Sequence, residues 1–366
     1  MSLRIGIIGL PNVGKSTTFN ALTRTQNAEV ANYPFCTIEP NKAVVPVPDP
    51  RVEQLAELVG VDQAVPTTIE FMDIAGLVEG ASRGEGLGNQ FLAQIRNTDA
   101  LLHVVRCFDD PNIVHVQAHP EPRKDIETIE IELILSDLEQ VERKKAKLER
   151  QLKGNPKLKP VLETARKAQE HLESLLPLSS FPDQNSPAFQ ALKHELQFLT
   201  IKPVIYTANL DEADLAEGNE YYRTVQDVAL GKEAPVIKFS AALEEELSAL
   251  EDQEAEEYRQ LMDIEESGLE KIITTCYQLL DLISFFTYNE QEARAWTIEK
   301  GTRAPQAAGK IHTDFEQGFI KAEVIPYPTF EELGSAAAAK RAGQLRLEGK
   351  KYIVQDGDVI YFRFNV

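Results

Sequence analysis

The stretch Gly9-Leu10-Pro11-Asn12-Val13-Gly14-Lys15-Ser16 constrains this chain more than any other. It satisfies G-x-x-x-x-G-K-[ST] in full, follows the apolar run Arg4 to Gly9, and precedes the helix-like STTFNALT. Strand, glycine loop and helix in that order make a phosphate cradle, the P-loop. Gly9 and Gly14 permit backbone geometries that turn N–H groups inward around phosphate oxygens. The start of the helix adds partial positive charge. Lys15 reaches the β- and γ-phosphates, and the Ser16 hydroxyl is offered to Mg²⁺. The expected fold class is therefore α/β, a doubly wound sheet of the P-loop NTPase type.

Two later stretches fit the same pocket. YPFCTIEPN, residues 33–41, lies where switch loops carry a threonine that closes on Mg²⁺, and Thr37 is the candidate. TTIEFMDIAGL, residues 67–77, reads as a strand ending at Asp73, and Asp73-Ile74-Ala75-Gly76 matches D-x-x-G. Asp73 suits a Mg²⁺-bound water, and the Gly76 N–H suits the γ-phosphate. The next residue is Leu77, where a water-orienting glutamine stands in many switch proteins. Leucine has no donor or acceptor, so another group must position the water. His115 and His119 are candidates, as are backbone groups or a partner protein. His103 sits within the apolar strand ALLHVVRCF and reads as a core residue. Five glycines between 76 and 88 mark a second switch loop.

The base side reads KPVIYTANLDEAD, residues 202–214. A guanine reader would show Asn-Lys-x-Asp at the end of this strand. Here Asn209 is present, Leu210 replaces the lysine, and Glu212 replaces the aspartate. An aspartate there accepts from guanine N1–H and N2; adenine offers neither donor, and Glu212 is one methylene too long for the same place. Asn209 can still bond N7 and the adenine 6-amino group. Ser240-Ala241-Ala242 follows the strand PVIKF, where a serine-alanine-lysine loop is usual. ATP is expected over GTP.

The net charge is −20, which argues against a chain coated in nucleic acid by a general basic surface. Residues 200–280 hold 19 Asp+Glu against 6 Lys+Arg. Residues 125–200 break the alternation of strand and helix. Ile134, Leu138, Val141, Lys145, Leu148 and Leu152 form a heptad seam, and GNPKLKP turns the chain into an antiparallel helical hairpin. Its flank carries Arg143, Lys144, Lys145, Lys147, Arg150, Lys153, Lys157 and Lys159, either a solvated face or an RNA or ribosome contact. The expected domains are a P-loop domain at 1–124 and 201–281, the helical insertion at 125–200, and an α+β module at 282–366. That module ends in strands around Asp356-Gly357. Cys36, Cys107 and Cys276 form no CxxC, and no apolar run approaches membrane length. The expected setting is the cytoplasm, without a membrane.

GLPNVGKST, NYPFCTIEPN, DIAGLV, GEGLGNQFL, HVVRCF, RAWTI, APQAAGKIHTDFE and VQDGDV together resemble the YchF / Obg-like ATPase family over essentially the whole chain. The resemblance implies a G domain with a coiled-coil insertion and a C-terminal β-grasp (TGS) domain. It implies ATP hydrolysis on a site in which a hydrophobic residue, here Leu77, replaces the glutamine. Nucleotide positions fall on Asn12, Val13, Gly14, Lys15, Ser16 and Thr17, Mg²⁺ on Ser16 and Thr37, and adenine contacts on Asn209 and Leu210. The catalytic histidine falls on His115. Asn12 makes K⁺ a candidate second cation. The expected partners are ATP and the ribosome, its large subunit with RNA and proteins, engaged by a monomer. The competing readings are a nucleotide-gated RNA or protein scaffold with negligible turnover, and a GTPase.

Overall fold

The computed structural model describes residues 3–30, 41–74, 87–115, 119–262, 264 and 266–365. Cys36, Thr37, Gly76, Leu77 and most of the glycine-rich run lie outside the described residues. The strands are β1 (Leu3–Ile8), β2 (Lys42–Pro46), β3 (Gln63–Val65), β4 (Thr68–Asp73), β5 (Ala100–Arg106), β6 (Val204–Asn209), β7 (Val236–Phe239), β8 (Leu282–Tyr288), β9 (Glu292–Glu299), β10 (Phe319–Pro326), β11 (Arg346–Glu348) and β12 (Asp358–Phe364). The chain forms two compact units, Met1–Val45 with Glu70–Lys271, and Pro46–Ile69 with Ile272–Val366.

The first unit carries the sheet β2-β4-β1-β5-β6-β7. β1, β5, β6 and β7 pair in parallel. β5 is buried at all seven positions, and β6 is buried beyond its first residue. Unbroken apolar runs are what a parallel sheet covered on both faces requires. The chain leaves β1 toward β2 and β4 on one side and reaches β5 to β7 on the other. Such a switch in strand order opens a crevice at the carboxyl ends of the strands. Gly9, Asp73 and Asn209 stand at the ends of β1, β4 and β6.

The helix Pro122–Leu152 projects from this unit and folds back through Lys159–Glu173 and a third helix, Pro187–Leu196. Ile134, Val141 and Leu148 of the expected seam are buried, with Leu138 and Leu152 packed beside them. Lys145 at the fourth seam position donates to the Gln169 side chain at 2.5 Å. That bond removes the cost of a polar group in an apolar seam. Asp137 is fully buried and accepts from the Leu199 and Thr200 N–H groups at 3.0 and 2.9 Å and from the Thr200 hydroxyl at 2.8 Å. It ties the base of the long helix to the chain returning toward β6.

The second unit carries the mixed sheet β11-β10-β12-β8-β9-β3. β8 and β9 are antiparallel, β10 is antiparallel to both β11 and β12, and β12 and β8 are parallel. Alternation along β8 sends Phe285 and Phe286 to opposite faces. Phe285 packs with Ala304, Ala307 and Ala308 of the helix Ala304–Ile311. Phe286 packs with Val52, Leu55 and Ala56 of the helix Pro50–Val59. The stretch 46–69, sequentially between the phosphate loop and Asp73, thus covers one face of the second sheet. It also adds β3 in parallel to β9. Arg51 fixes it further by bonding Asp49 and Asp356, both at 2.8 Å. Among the described residues no helix is long and apolar enough to cross a membrane.

His103 of β5 is buried, with its ring centroid 5.4 Å from that of Tyr206. Burial, reinforced by the charges of Lys15 and Lys232, lowers its pKa from 6.5 to about 3. The unfolded chain therefore takes up a proton below about 6.5 that the folded chain refuses until about 3, and stability falls across that window. His103→Leu removes this acid sensitivity. At pH about 4.5 the wild type should have lost about 2–3 kcal/mol more than the variant, relative to neutral pH. Urea midpoints measured across pH check this; parallel curves for the two proteins refute it.

Candidate nucleotide site

The loop after β1 turns through Gly9 at φ 149°, Asn12 at φ 60° and Gly14 at φ 102°. A Cβ on Gly9 would stand 2.5 Å from the Val104 carbonyl oxygen, and one on Gly14 would collide with the Asn209 amide. Both positions need glycine for space as well as for backbone freedom. The helix Lys15–Val30 starts at once. Gly14 O accepts from the Thr18 N–H at 2.9 Å and the Thr18 hydroxyl at 2.8 Å. The buried Lys15 ammonium donates to Leu10 O at 2.6 Å. Burial lowers its pKa to about 8, against the opposing pull of Asp73. Burial also raises the Asp73 carboxyl above its ordinary value, against Lys15 and a hydrogen bond from Ser16. Ser16 is exposed and Thr17 half-buried. A hydroxyl and a carboxylate in direct contact beside a buried lysine are hard oxygen donors, and they fit Mg²⁺.

Asn209 is buried where β6 meets the loop. Its Nδ2 donates to Val13 O at 2.9 Å, and its Oδ1 accepts from Ala241 N–H at 2.9 Å. An amide nitrogen has a second hydrogen and an amide oxygen a second lone pair, so each atom keeps capacity for one more partner. Leu210 sits differently. Its side chain is buried among Cys107, Ile126, Tyr206 and Val225, and its N–H bonds Phe239 O at 2.9 Å. Glu212 opens the short turn Glu212–Asp214, and its carboxylate accepts from the Tyr258 hydroxyl at 3.2 Å.

The segment after β5 borders the loop. Asn12 Nδ2 donates to Val114 O at 3.0 Å. Arg106 is 2% exposed, and its guanidinium donates to Phe108 O at 3.1 Å, Asp110 O at 3.1 Å and Ile113 O at 3.0 Å. It also lies 4.6 Å from the centre of the Phe108 ring. His115 is buried, with Nε2 3.2 Å from Asp125 Oδ2. Burial raises the Asp125 carboxyl, opposed by His115. His119 is exposed. Arg106 lies in the HVVRCF stretch without a site role attached to it there, and Asp125 belongs to none of the motif stretches of the sequence. Arg106 still leaves a signal there, because a cation ending the buried run ALLHVVR has to meet oxygens. Asp125 in the first turn of a helix reads as ordinary dipole chemistry.

The structure thus gathers Asn12, Val13, Gly14, Lys15, Ser16, Asp73 and Asn209 around one crevice. Glycine loop, buried lysine, hydroxyl–carboxylate pair and buried amide at the strand ends of one sheet define a nucleotide-binding P-loop protein of the GTPase type. Residues 4–158 match the family model described as 50S ribosome-binding GTPase. Residues 282–365 match the model YchF-GTPase_C, described as a protein of unknown function (DUF933). Over its full length the chain is 52% identical to the full-length ribosome-binding ATPase YchF of Pasteurella multocida and 51% identical to that of Haemophilus influenzae. The solved structure of the Schizosaccharomyces pombe YchF GTPase superposes with a TM-score of 0.87 at 38% identity, covering 99% of this chain and 98% of that one. The chain belongs to the YchF family.

A bound polyphosphate raises the pKa of Lys15 above its value of about 8 in the free protein. Between the two values binding takes up a proton. Nucleotide affinity should therefore weaken as pH rises through about 8, toward a limit of about tenfold per pH unit. Calorimetric titration in buffers of different ionisation heat should show net proton uptake near pH 9. Affinity flat across that range would refute the assignment of Lys15.

Proposed function

We propose that this chain hydrolyses ATP in preference to GTP and uses its nucleotide state to engage the ribosome. One observation carries the choice of base. Asn209 keeps the position of a guanine reader, but the carboxylate that should follow belongs to Glu212, and Tyr258 already bonds it. Adenine asks for no carboxylate, only for the remaining donor and acceptor of the Asn209 amide. Lys15 neutralises charge on the β- and γ-phosphates. Ser16 and Thr37 would hold Mg²⁺, with Asp73 behind a bound water; the ion supplies charge neutralisation along the triphosphate. Val13, Gly14, Thr17 and Gly76 offer backbone or hydroxyl donors to phosphate oxygens, and Asn12 is the candidate ligand for K⁺. With Leu77 in the glutamine position, His115 orients the attacking water once its ring leaves Asp125.

The engagement reading draws on relatives named as ribosome-binding ATPases and on the model described as 50S ribosome-binding GTPase. Lys147, Lys153 and Lys157 are exposed about the hairpin turn, a surface suited to RNA phosphates of the large subunit. The protein acts as a monomer in the cytoplasm. The buried state of His115 favours a second reading, a nucleotide-gated scaffold with little turnover of its own. Single-turnover hydrolysis with and without ribosomes separates the two.

Competition titrations should give at least about tenfold tighter binding of ATP than of GTP, roughly the worth of one good hydrogen-bond pair. Glu212→Asp should narrow that gap. Wild-type affinity for GTP equal to or above that for ATP sinks the base assignment. Ribosome co-sedimentation should depend on whether ATP, ADP or a non-hydrolysable analogue is present. Absence of pelleting in every state at low salt sinks the ribosome assignment.

A further inference from the structure

Burial is inverted at Val114 and His115, in the segment after β5. The Val114 side chain is turned out and the residue is 76% exposed. The His115 side chain beside it is 1% exposed. An apolar branched residue in water next to an imidazole in the interior is the reverse of their ordinary preferences. The backbone here is not loosely placed. Arg106 holds the carbonyls of residues 108, 110 and 113, and Asn12 of the phosphate loop holds the carbonyl of Val114. The segment therefore keeps its edge against the phosphate loop while the ring of His115 points the other way, to the helix Pro122–Leu152.

Asp125 accounts for that inversion. Its side chain is 3% exposed, and Oδ2 receives His115 Nε2 at 3.2 Å. Oδ1 has no hydrogen-bond partner among the described residues. Asp125 lies in the first turn of that helix: its backbone N–H donates to Glu121 O at 2.9 Å, and its carboxylate is helped by a backbone hydrogen bond from Glu121, yet Oδ1 stays unmet. The Glu121 carboxylate repels Asp125, and the Cys107 thiol, pushed up by burial and further by Asp125, is a neighbour that offers it no charge. Neither side chain meets Oδ1. A buried carboxylate with one oxygen unmet is a poor packing element, and the group that meets its other oxygen is the imidazole.

We propose that Asp125 is a positioning residue for hydrolysis, one that holds His115 withdrawn from the phosphate loop until Val114 and His115 exchange places. The inference rests on the reading of His115 as the water-orienting group. Exchange would bury Val114 and bring the imidazole to the side of the segment already bonded by Asn12. The exposed valine lowers the cost of leaving the Asp125 pair, so the two arrangements are balanced rather than fixed. Asp125→Asn weakens the retained arrangement while keeping the shape of the side chain.

The test is single-turnover ATP hydrolysis at saturating nucleotide, with ATP affinity and thermal melting measured on the same proteins. Asp125→Asn should hydrolyse ATP several-fold faster than wild type at unchanged ATP affinity. Asp125→Asn combined with His115→Ala should match His115→Ala alone, because Asp125 acts only through the imidazole. Val114→Asn, which favours the exposed place, should slow hydrolysis at unchanged affinity. It supplies the test on its own if Asp125→Asn proves unfolded by melting. A rate for Asp125→Asn at or below wild type overturns the proposal, as does an unchanged rate for Val114→Asn. If His115→Ala itself hydrolyses at the wild-type rate, the reading of His115 fails, and this proposal fails with it for that separate reason.

Discussion

The Asn209 amide is the contact on which the crevice depends. One atom takes the carbonyl of Val13 in the phosphate loop and the other takes the N–H of Ala241 after β7. Three chain segments far apart in sequence meet on a single planar group, and both bonds are buried. Loss of that group would leave two interior backbone groups unmet, at a cost of about 1–3 kcal/mol each. The amide also sets the room at Gly14, where even a methyl group would strike it. The phosphate loop and the end of β6 are thus fixed to each other by one side chain.

The same device recurs around the first unit. Irregular backbone next to a parallel sheet has polar groups that the sheet does not satisfy. Asp137 meets the N–H groups of Leu199 and Thr200, and Arg106 meets three carbonyls of the turn after β5. Asp137 accepts and Arg106 donates, each according to the backbone groups it faces. In both cases a charge that would be costly alone is spread over hydrogen bonds to the main chain. The consequence for function is a crevice whose walls are held at their backbones while its reactive side chains stay free to differ. Lys15 and Asp73 illustrate this, both shifted by burial toward their neutral forms while each charge opposes the other's shift.

The second unit follows another constraint. A mixed sheet whose strands bear large apolar residues on both faces needs cover on both. Phe285 finds it in the helix that follows β9, which is local in sequence. Phe286 finds it in Pro50–Val59, more than two hundred residues earlier. Bridging by Arg51 between Asp49 and Asp356, with its guanidinium 5.1 Å from the Phe286 ring centre, secures that helix against β8.

The sequence by itself determined the phosphate loop, the strand-ending Asp73 and Asn209, the hairpin seam and the α+β character of the C-terminal part. Each rests on short-range rules: glycine at a turn that only glycine can make, apolar runs for covered strands, and a heptad period for packed helices. Only the tertiary structure decided which residues turn inward. Leu210 lies next to Asn209 yet faces the core, because successive residues at the end of β6 point to opposite sides. His115 meets Asp125, ten positions away, a separation that no periodicity reports. The helix Pro50–Val59 carries an ordinary amphipathic pattern, and that pattern names a buried face without naming its partner. Pairings between distant segments depend on three-dimensional closure of the chain, and local propensity contains no record of it.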